Sequence, residues 1–312
     1  MQASQVEQAS NLKLVVSNRS TPLDLAIQSY LLDCEARRLS GNTLTNYGKP
    51  LRALHHFLDV RGVMRPQDIT ASHLRAFLVE LQTRHNAGGV FWHYRVVKSF
   101  LRFLVAEGDI GHNPLDKVKP PKLPQDLQEP VSLESVAKML TACVGDLAER
   151  DSAILLTLLD SGLRAAEILA LDIGDVDIAT GRVVVKHGKG DKARVVFLGA
   201  RARRAIIKML RSRADIAPTE PLFTTDDGGR LTYWGLRQIL RRRAAAANVS
   251  VPSAHDFRRA FALLSLRGGC DIMSLQRLMG HADLTVLRRY LAQTEADLQA
   301  AHAKSSPVDK ML

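Results

Sequence analysis

Cysteine is scarce in this 312-residue chain, which has only Cys34, Cys143 and Cys270. An odd, scattered set outside any C-x-x-C pair argues against a disulfide framework or a cysteine-based zinc site, and makes a reducing cytoplasm the expected compartment. Long apolar runs are missing too. Stretches such as Ile154–Leu159 are far shorter than a membrane span, and the polar start MQASQVEQAS lacks the pattern of a signal peptide. The segment GKGDK at 188–192 has only part of G-x-x-x-x-G-K-[ST], with no strand-to-helix junction after it, so no ATP site is assigned. No carboxylate cluster of the kind used in two-metal nuclease chemistry is present.

Positive charge is plentiful. Lysine and arginine number 43 against 32 acidic residues, a formal net charge of +11. Up to residue 130 there are 16 basic and 12 acidic residues, and beyond it 27 and 20, so both parts are mildly basic. Such a balance suits a polyanionic partner gripped by two domains, although charge alone also fits an RNA-binding or merely soluble protein. With 46% apolar residues, a chain of this length can bury a core in each of two domains.

Residues 1–20 lack sustained helical periodicity and are expected to form a mobile arm. Four helices follow within 21–111. Thr21 and Pro22 open the first, to about Leu39; Asn42 caps the second, to about Val60; Thr70 or Ser72 caps the third, to about Arg84; the fourth spans Gly88 to Glu107. Their basic side chains include Arg37, Arg38 and Lys98, together with Lys49, Arg52, Arg84, Arg95 and Arg102, which fit either a solvated face or a nucleic-acid surface. Trp92, Tyr94 and Phe100 are expected in the core. Residues 112–130, HNPLDKVKPPKLPQDLQEP, hold five of the twelve prolines and read as an extended interdomain linker.

The remainder, 131–312, mixes helices with three short strands, expected at Asp175–Ile178, Arg182–His187 and Ala193–Leu198, and Lys189 falls on the turn between the last two. Ser132 caps a helix, Arg150–Ser161 forms the next, and others follow at Arg201–Arg213 and Thr232–Ala247. The triplet Arg241, Arg242 and Arg243 is suited to phosphate contact, with simple solvation as the alternative.

The densest pattern lies at Ala254 to Leu291, AHDFRRAFALLSLRGGCDIMSLQRLMGHADLTVLRRYL. His255 and Arg258 are three apart on one helix, which ends at Gly268 and Gly269. A second helix, Met273–Met279, closes at Gly280, so His281 follows a helix C-terminus, and Tyr290 comes nine residues later. Upstream, SGLRAAEILAL at 161–171 sets Arg164 three residues before Glu167, which can brace that arginine or its neighbours. Taken singly, each of these is as readily a cap, a core aromatic or a solvated group. Together, in this order, they are far more specific.

On these residues the chain resembles the tyrosine recombinases, or phage integrases, and is most similar to their Xer-type members. The resemblance covers about residues 22–300. It rests on Arg164 with Glu167, Lys189, His255 with Arg258, His281 and Tyr290; Phe257 and Met279 replace the usual leucines, and Arg259 stands where histidine or another polar residue is common. It implies a mainly α fold with a small β-sheet: an N-terminal helical, SAM-like core-binding domain and a C-terminal α+β catalytic domain ending in a tail helix. It further implies a tetramer, alone or with a related recombinase, on two double-stranded DNA sites. Tyr290 would be the nucleophile, Arg164 and Arg258 would pair with the phosphate, His255 would accept the tyrosine proton, His281 would hydrogen-bond the phosphate and Lys189 would protonate the leaving 5′ oxygen. No cofactor is implied. A type IB topoisomerase shares this chemistry, and a non-catalytic DNA-binding regulator would share the fold.

Overall fold

A computed structural model describes residues 21–123, 129–186, 193–211, 213, 217–280 and, near the C-terminus, 299, 302, 303, 306 and 308. The chain divides into two compact units, Met1–Asp126 and Leu127–Leu312.

In the first unit, α1 (Pro22–Ala36) opens with a reciprocal cap: the Asp24 amide donates to the Thr21 hydroxyl and the Thr21 amide donates to the Asp24 carboxylate, both at 3.1 Å. The second helix, α2 (Gly41–Asp59), begins earlier than expected. Ser40, not Asn42, caps it, because the Ser40 hydroxyl accepts from the Thr43 amide at 3.2 Å. Thr70 caps α3 (Ala71–Gln82), and Asn86 caps α4 (Ala87–Glu107), which ends at Gly108 in the left-handed conformation. The apolar stripes of these helices meet around Tyr30, Leu54, Phe57, Phe77 and Phe100. Tyr30 keeps its hydroxyl satisfied inside that core by donating to Ser99 at 2.7 Å. Tyr94 and Phe100 are buried, whereas Trp92 is 37% exposed and only leans on Tyr47.

The proline-rich stretch expected to link the units is tied to the first of them over its opening residues. Pro114–Lys117 forms a 3-10 turn capped by Asn113, and Leu115 and Val118 are buried in the first core. Arg75 donates to the Lys117 carbonyl at 2.9 Å. Burying two aliphatic side chains, worth about 1.5–3 kcal/mol each, outweighs the tendency of prolines at either end of this turn to extend the chain.

The second unit is built on α6 (Ala148–Ser161), whose Ala153, Ile154, Leu155 and Leu158 are fully buried. Around it lie α5 (Leu133–Thr141), α8 (Ala200–Leu210) and α10 (Ala254–Arg267), and the unit also contains α7 (Ala165–Ala170), α9 (Tyr233–Ala246) and α11 (Ile272–Met279). Two strands, β1 (Arg182–Val185) and β2 (Arg194–Phe197), pair antiparallel with Val183 opposite Val196. The third strand expected at Asp175–Ile178 is reduced to a single bridge between Val176 and Val183. Asp177 is the cause: its carboxylate accepts from the Ala179 amide and from the Thr180 amide and hydroxyl, which curls the chain into a turn.

Candidate active site

Gly162 ends α6 at φ +58°, and an added Cβ there would lie 2.2 Å from the Phe261 ring. Only glycine meets both conditions, and the chain turns here directly into the arginine box. Arg164 is the N-cap of α7. Its backbone amide donates to Glu167 Oε2 at 2.8 Å and its guanidinium to Glu167 Oε1 at 2.7 Å. Glu167, expected to brace the arginine or its neighbours, does both. Its side chain is 3% exposed, and Arg194 on β2 grips it with two parallel bonds of 2.7 Å. Burial pushes the Glu167 pKa up, but the bonds from Arg194 and the Arg164 amide dominate and bring it down to about 2. Glu167 is therefore a fixed anion.

Three guanidinium groups converge on the last carbonyls of α11, where the helix leaves its acceptors unpaired and its dipole is negative. Arg194 donates to the Leu278 carbonyl at 3.0 Å, Arg258 to that of Met279 and Arg164 to that of Gly280 at 3.2 Å. Arg258, only 2% exposed, also donates to the Gly162 carbonyl and so joins α10, the end of α6 and the end of α11. Gly280 turns left-handed at φ +62°, and a Cβ there would approach the Arg194 side chain to 2.9 Å. The residue after it is His281.

His255 lies one turn before Arg258 on α10 and keeps an exposed edge. Its pKa is lowered, first by partial removal from water and then by the charges of Arg259 and Arg258, with Arg164 contributing. Burial and the neighbouring cations thus both favour the uncharged imidazole over the imidazolium.

Arg164, Glu167, His255 and Arg258, drawn from two distant parts of the sequence, are brought to one place. Lys189, His281 and Tyr290 lie outside the described residues, as does the arm 1–20; of the tail expected over 294–304, only 299, 302 and 303 are described. Lys186, at the root of the lysine turn, pairs with Asp175 at 2.7 Å and Asp172 at 3.2 Å, and Arg230 also reaches Asp172. The arginine triplet divides. Arg241 and Arg242 are exposed, but Arg243 donates to Asp151, whose side chain is fully buried, and to the Ala142 carbonyl at 3.0 Å. Arg243 is therefore a packing arginine, a correction to its expected phosphate contact: a buried carboxylate binds it more firmly than solvent would. Arg37 and Arg38 are exposed, the former paired with Asp33 at 3.3 Å, while Lys98 is half-buried near the Tyr94 ring. Arg194 escaped the sequence reading, since its only signal was a basic residue shortly after the lysine turn.

A mainly helical chain in two units, with two arginines and an imidazole brought together in the second, has counterparts among known proteins. The sequence profile of the phage integrase family matches residues 131–297, and that of the phage integrase N-terminal SAM-like domain matches residues 27–108. Tyrosine recombinase XerC of Pelobacter propionicus is 32% identical over 292 residues, covering 92% of this chain and 96% of that protein. Tyrosine recombinase XerD of Listeria monocytogenes is 29% identical over 281 residues, covering 87% and 94%. The chain belongs to the phage integrase family and is a Xer-like tyrosine recombinase by sequence. The fold agrees. The Tn1549 transposon integrase in complex with a circular intermediate DNA superposes with a TM-score of 0.74 at 17% identity, covering 92% of this chain and 99% of that one. XerH bound to a palindromic difH substrate gives 0.70 at 21% identity, covering 91% and 84%.

Proposed function

We propose that this protein is a site-specific DNA recombinase that breaks and rejoins strands through a 3′-phosphotyrosyl intermediate and a Holliday junction, without metal or ATP. The observation that carries this reading is the convergence of Arg164 and Arg258 on the carbonyls of Gly280 and Met279, just before His281, with His255 one turn before Arg258 on α10. In-line attack on a phosphodiester builds negative charge on its nonbridging oxygens. Two guanidinium groups charged at any working pH stabilise that charge. Tyr290, whose phenol has an ordinary pKa of about 10, loses its proton on attack, and the depressed pKa of His255 makes it a competent acceptor at neutral pH. His281 hydrogen-bonds the phosphate, and Lys189 gives its proton to the departing 5′ oxygen. One phosphate ester replaces another, so a second strand's 5′ hydroxyl reverses the step.

Arg241 and Arg242 on α9, and Arg37, Arg38 and Lys98 in the 21–111 domain, are proposed to meet the duplex. The working assembly is a tetramer on two duplexes. In support, a groove of about 690 Å3 in the second unit, lined by Leu133, Val136, Leu140, Leu156, Leu159 and Leu264, suits the narrow apolar stripe that Ala296, Leu298, Ala300 and Ala301 would form on a tail helix over 294–304 of a neighbouring copy. Truncation after Gln293 is expected to leave a folded protein that binds single sites but forms no synaptic complex in native gels. Normal recombination by the truncated chain would remove the tail from that role.

The deciding experiment recovers DNA covalently attached to the protein in its host cell, sequences it, and rebuilds the site as a nicked suicide duplex. An adduct that disappears in Tyr290→Phe, together with recombinant product from intact sites, is the expected result. Relaxation of a single duplex without recombinants would favour a topoisomerase, and no adduct at all would favour a regulator.

A further inference from the structure

Arg194 has no part in the chemistry proposed above, yet all three of its guanidinium nitrogens are bonded within the site. Nη1 and Nη2 take the two oxygens of Glu167 at 2.7 Å each, and Nε takes the Leu278 carbonyl at 3.0 Å. Its side chain is 10% exposed.

Resting on the recombinase reading, we propose that Arg194 is a positioning residue: by occupying and neutralising Glu167, it keeps Arg164 available to the scissile phosphate. A carboxylate offers about four lone-pair sites. Here Oε1 accepts from Arg164 Nη1 and Arg194 Nη1, while Oε2 accepts from the Arg164 amide and Arg194 Nη2. Glu167 is saturated, and Arg164 is held by one side-chain bond to it. That bond sets the rotamer while leaving the rest of the guanidinium fork, of which Nη2 reaches the Gly280 carbonyl, to turn toward a ligand.

Charge leads to the same conclusion. Glu167 and Arg194 cancel, so the charge of Arg164 is left for a phosphate to neutralise. Without Arg194, a buried carboxylate would have Arg164 as its nearest cation and two vacated lone-pair sites open to the full fork. Arg164 would then serve Glu167 as a bidentate partner. Arg194 also bonds the Leu278 carbonyl, two residues before Gly280, so it ties the end of α11 to the arginine box. The close approach of its side chain at Gly280 shows how little slack that tie has.

The test uses the full chain and the nicked duplex built from the recovered DNA, measuring binding and single-turnover adduct formation separately. Arg194→Met is expected to bind the duplex like the parent but to cleave about 100-fold more slowly, the scale of a misplaced reacting group. Adding Glu167→Gln to Arg194→Met removes the charge that captures Arg164, and is expected to restore cleavage by about tenfold, as coupled neighbours do. A purely architectural arginine would show no such recovery. Arg194→Lys, which keeps the charge but not the paired bonds, should fall between parent and Arg194→Met, and tested with and without Glu167→Gln it gives the same comparison should the methionine variant fail to fold. Parent-like cleavage by Arg194→Met, a cleavage defect explained wholly by lost binding, or a double variant no faster than the single one overturns the proposal. Absence of any adduct with the parent would instead overturn the recombinase reading itself.

Discussion

In the first unit the arginines stand outside an apolar core, whereas in the second several are built into it. Among the described residues, the first unit buries no charged side chain other than a histidine, His93, while Arg37, Arg52, Arg84, Arg95 and Arg102 are exposed. The second unit buries Arg150, Asp151, Glu167, Asp175 and Arg258. A core of aliphatic and aromatic residues is non-directional and leaves surface charge free for a long-range partner. A buried ion pair, by contrast, gains little net stability over apolar packing, but its partners have fixed geometry.

The largest test of that contrast is at Asp151, held by Arg150 at 3.0 Å and Arg243 at 2.7 Å. Asp151→Ala removes the buried carboxylate of Arg243 and leaves Arg150 only Asp226 and the Thr224 carbonyl, and should cost about 3–5 kcal/mol of the second unit's stability in denaturant titration. Converting Asp151 and Arg243 together to apolar residues should recover much of that loss. Phe100→Ala in the first core, at about 3–5 kcal/mol, leaves a cavity and has no charge partner whose removal would compensate.

Next in size is acid sensitivity. The folded pKa of Glu167, about 2, lies below its ordinary value. The resulting stabilisation is therefore complete above the unfolded pKa and is lost as pH falls from about 4.5 toward 2. From the shift it amounts to about 3 kcal/mol. Stability curves for parent and Glu167→Gln should converge through that window, and parallel curves would mean that the carboxylate is not held as described.

The smallest expected effects belong to the exposed arginines. Arg37→Ala removes a surface pair whose side chains are 63% and 36% exposed, and should leave thermal stability essentially unchanged. If such side chains meet phosphate, each loss should lower the salt dependence of DNA binding by about 0.9 in log–log slope. An Arg243→Ala variant should show the reverse: lost stability and an unchanged slope.

Much of the helical architecture was legible because its signals are local. Thr21 and Ser132 stand at helix starts as expected, Thr70 is the one of the two candidates that caps α3, and Gly268 and Gly280 stand at the helix ends expected of them. Where two signals competed, the local reading slipped. Ser40 took the cap from Asn42, and the turn built by Asp177 cut short a strand that side-chain type alone suggested. The turn at Pro114–Lys117 was hidden by its prolines, because the burial of Leu115 and Val118 depends on helices far earlier in the chain.

By itself the sequence determined most of the described helices, the order of the motif residues and the placing of Arg164 three residues before Glu167, since each depends on chemistry within a few residues. Only the tertiary structure decided what each arginine does. Arg164, Arg194, Arg243 and Arg258 are alike in sequence, each a long cation among helix- or strand-forming neighbours. One is braced at an open site, one is locked on Glu167, one is buried against Asp151, and one is threaded between two helix ends. The partners that separate these roles lie up to 116 residues away, and a guanidinium is assigned by the carboxylate or carbonyl that burial places within its reach.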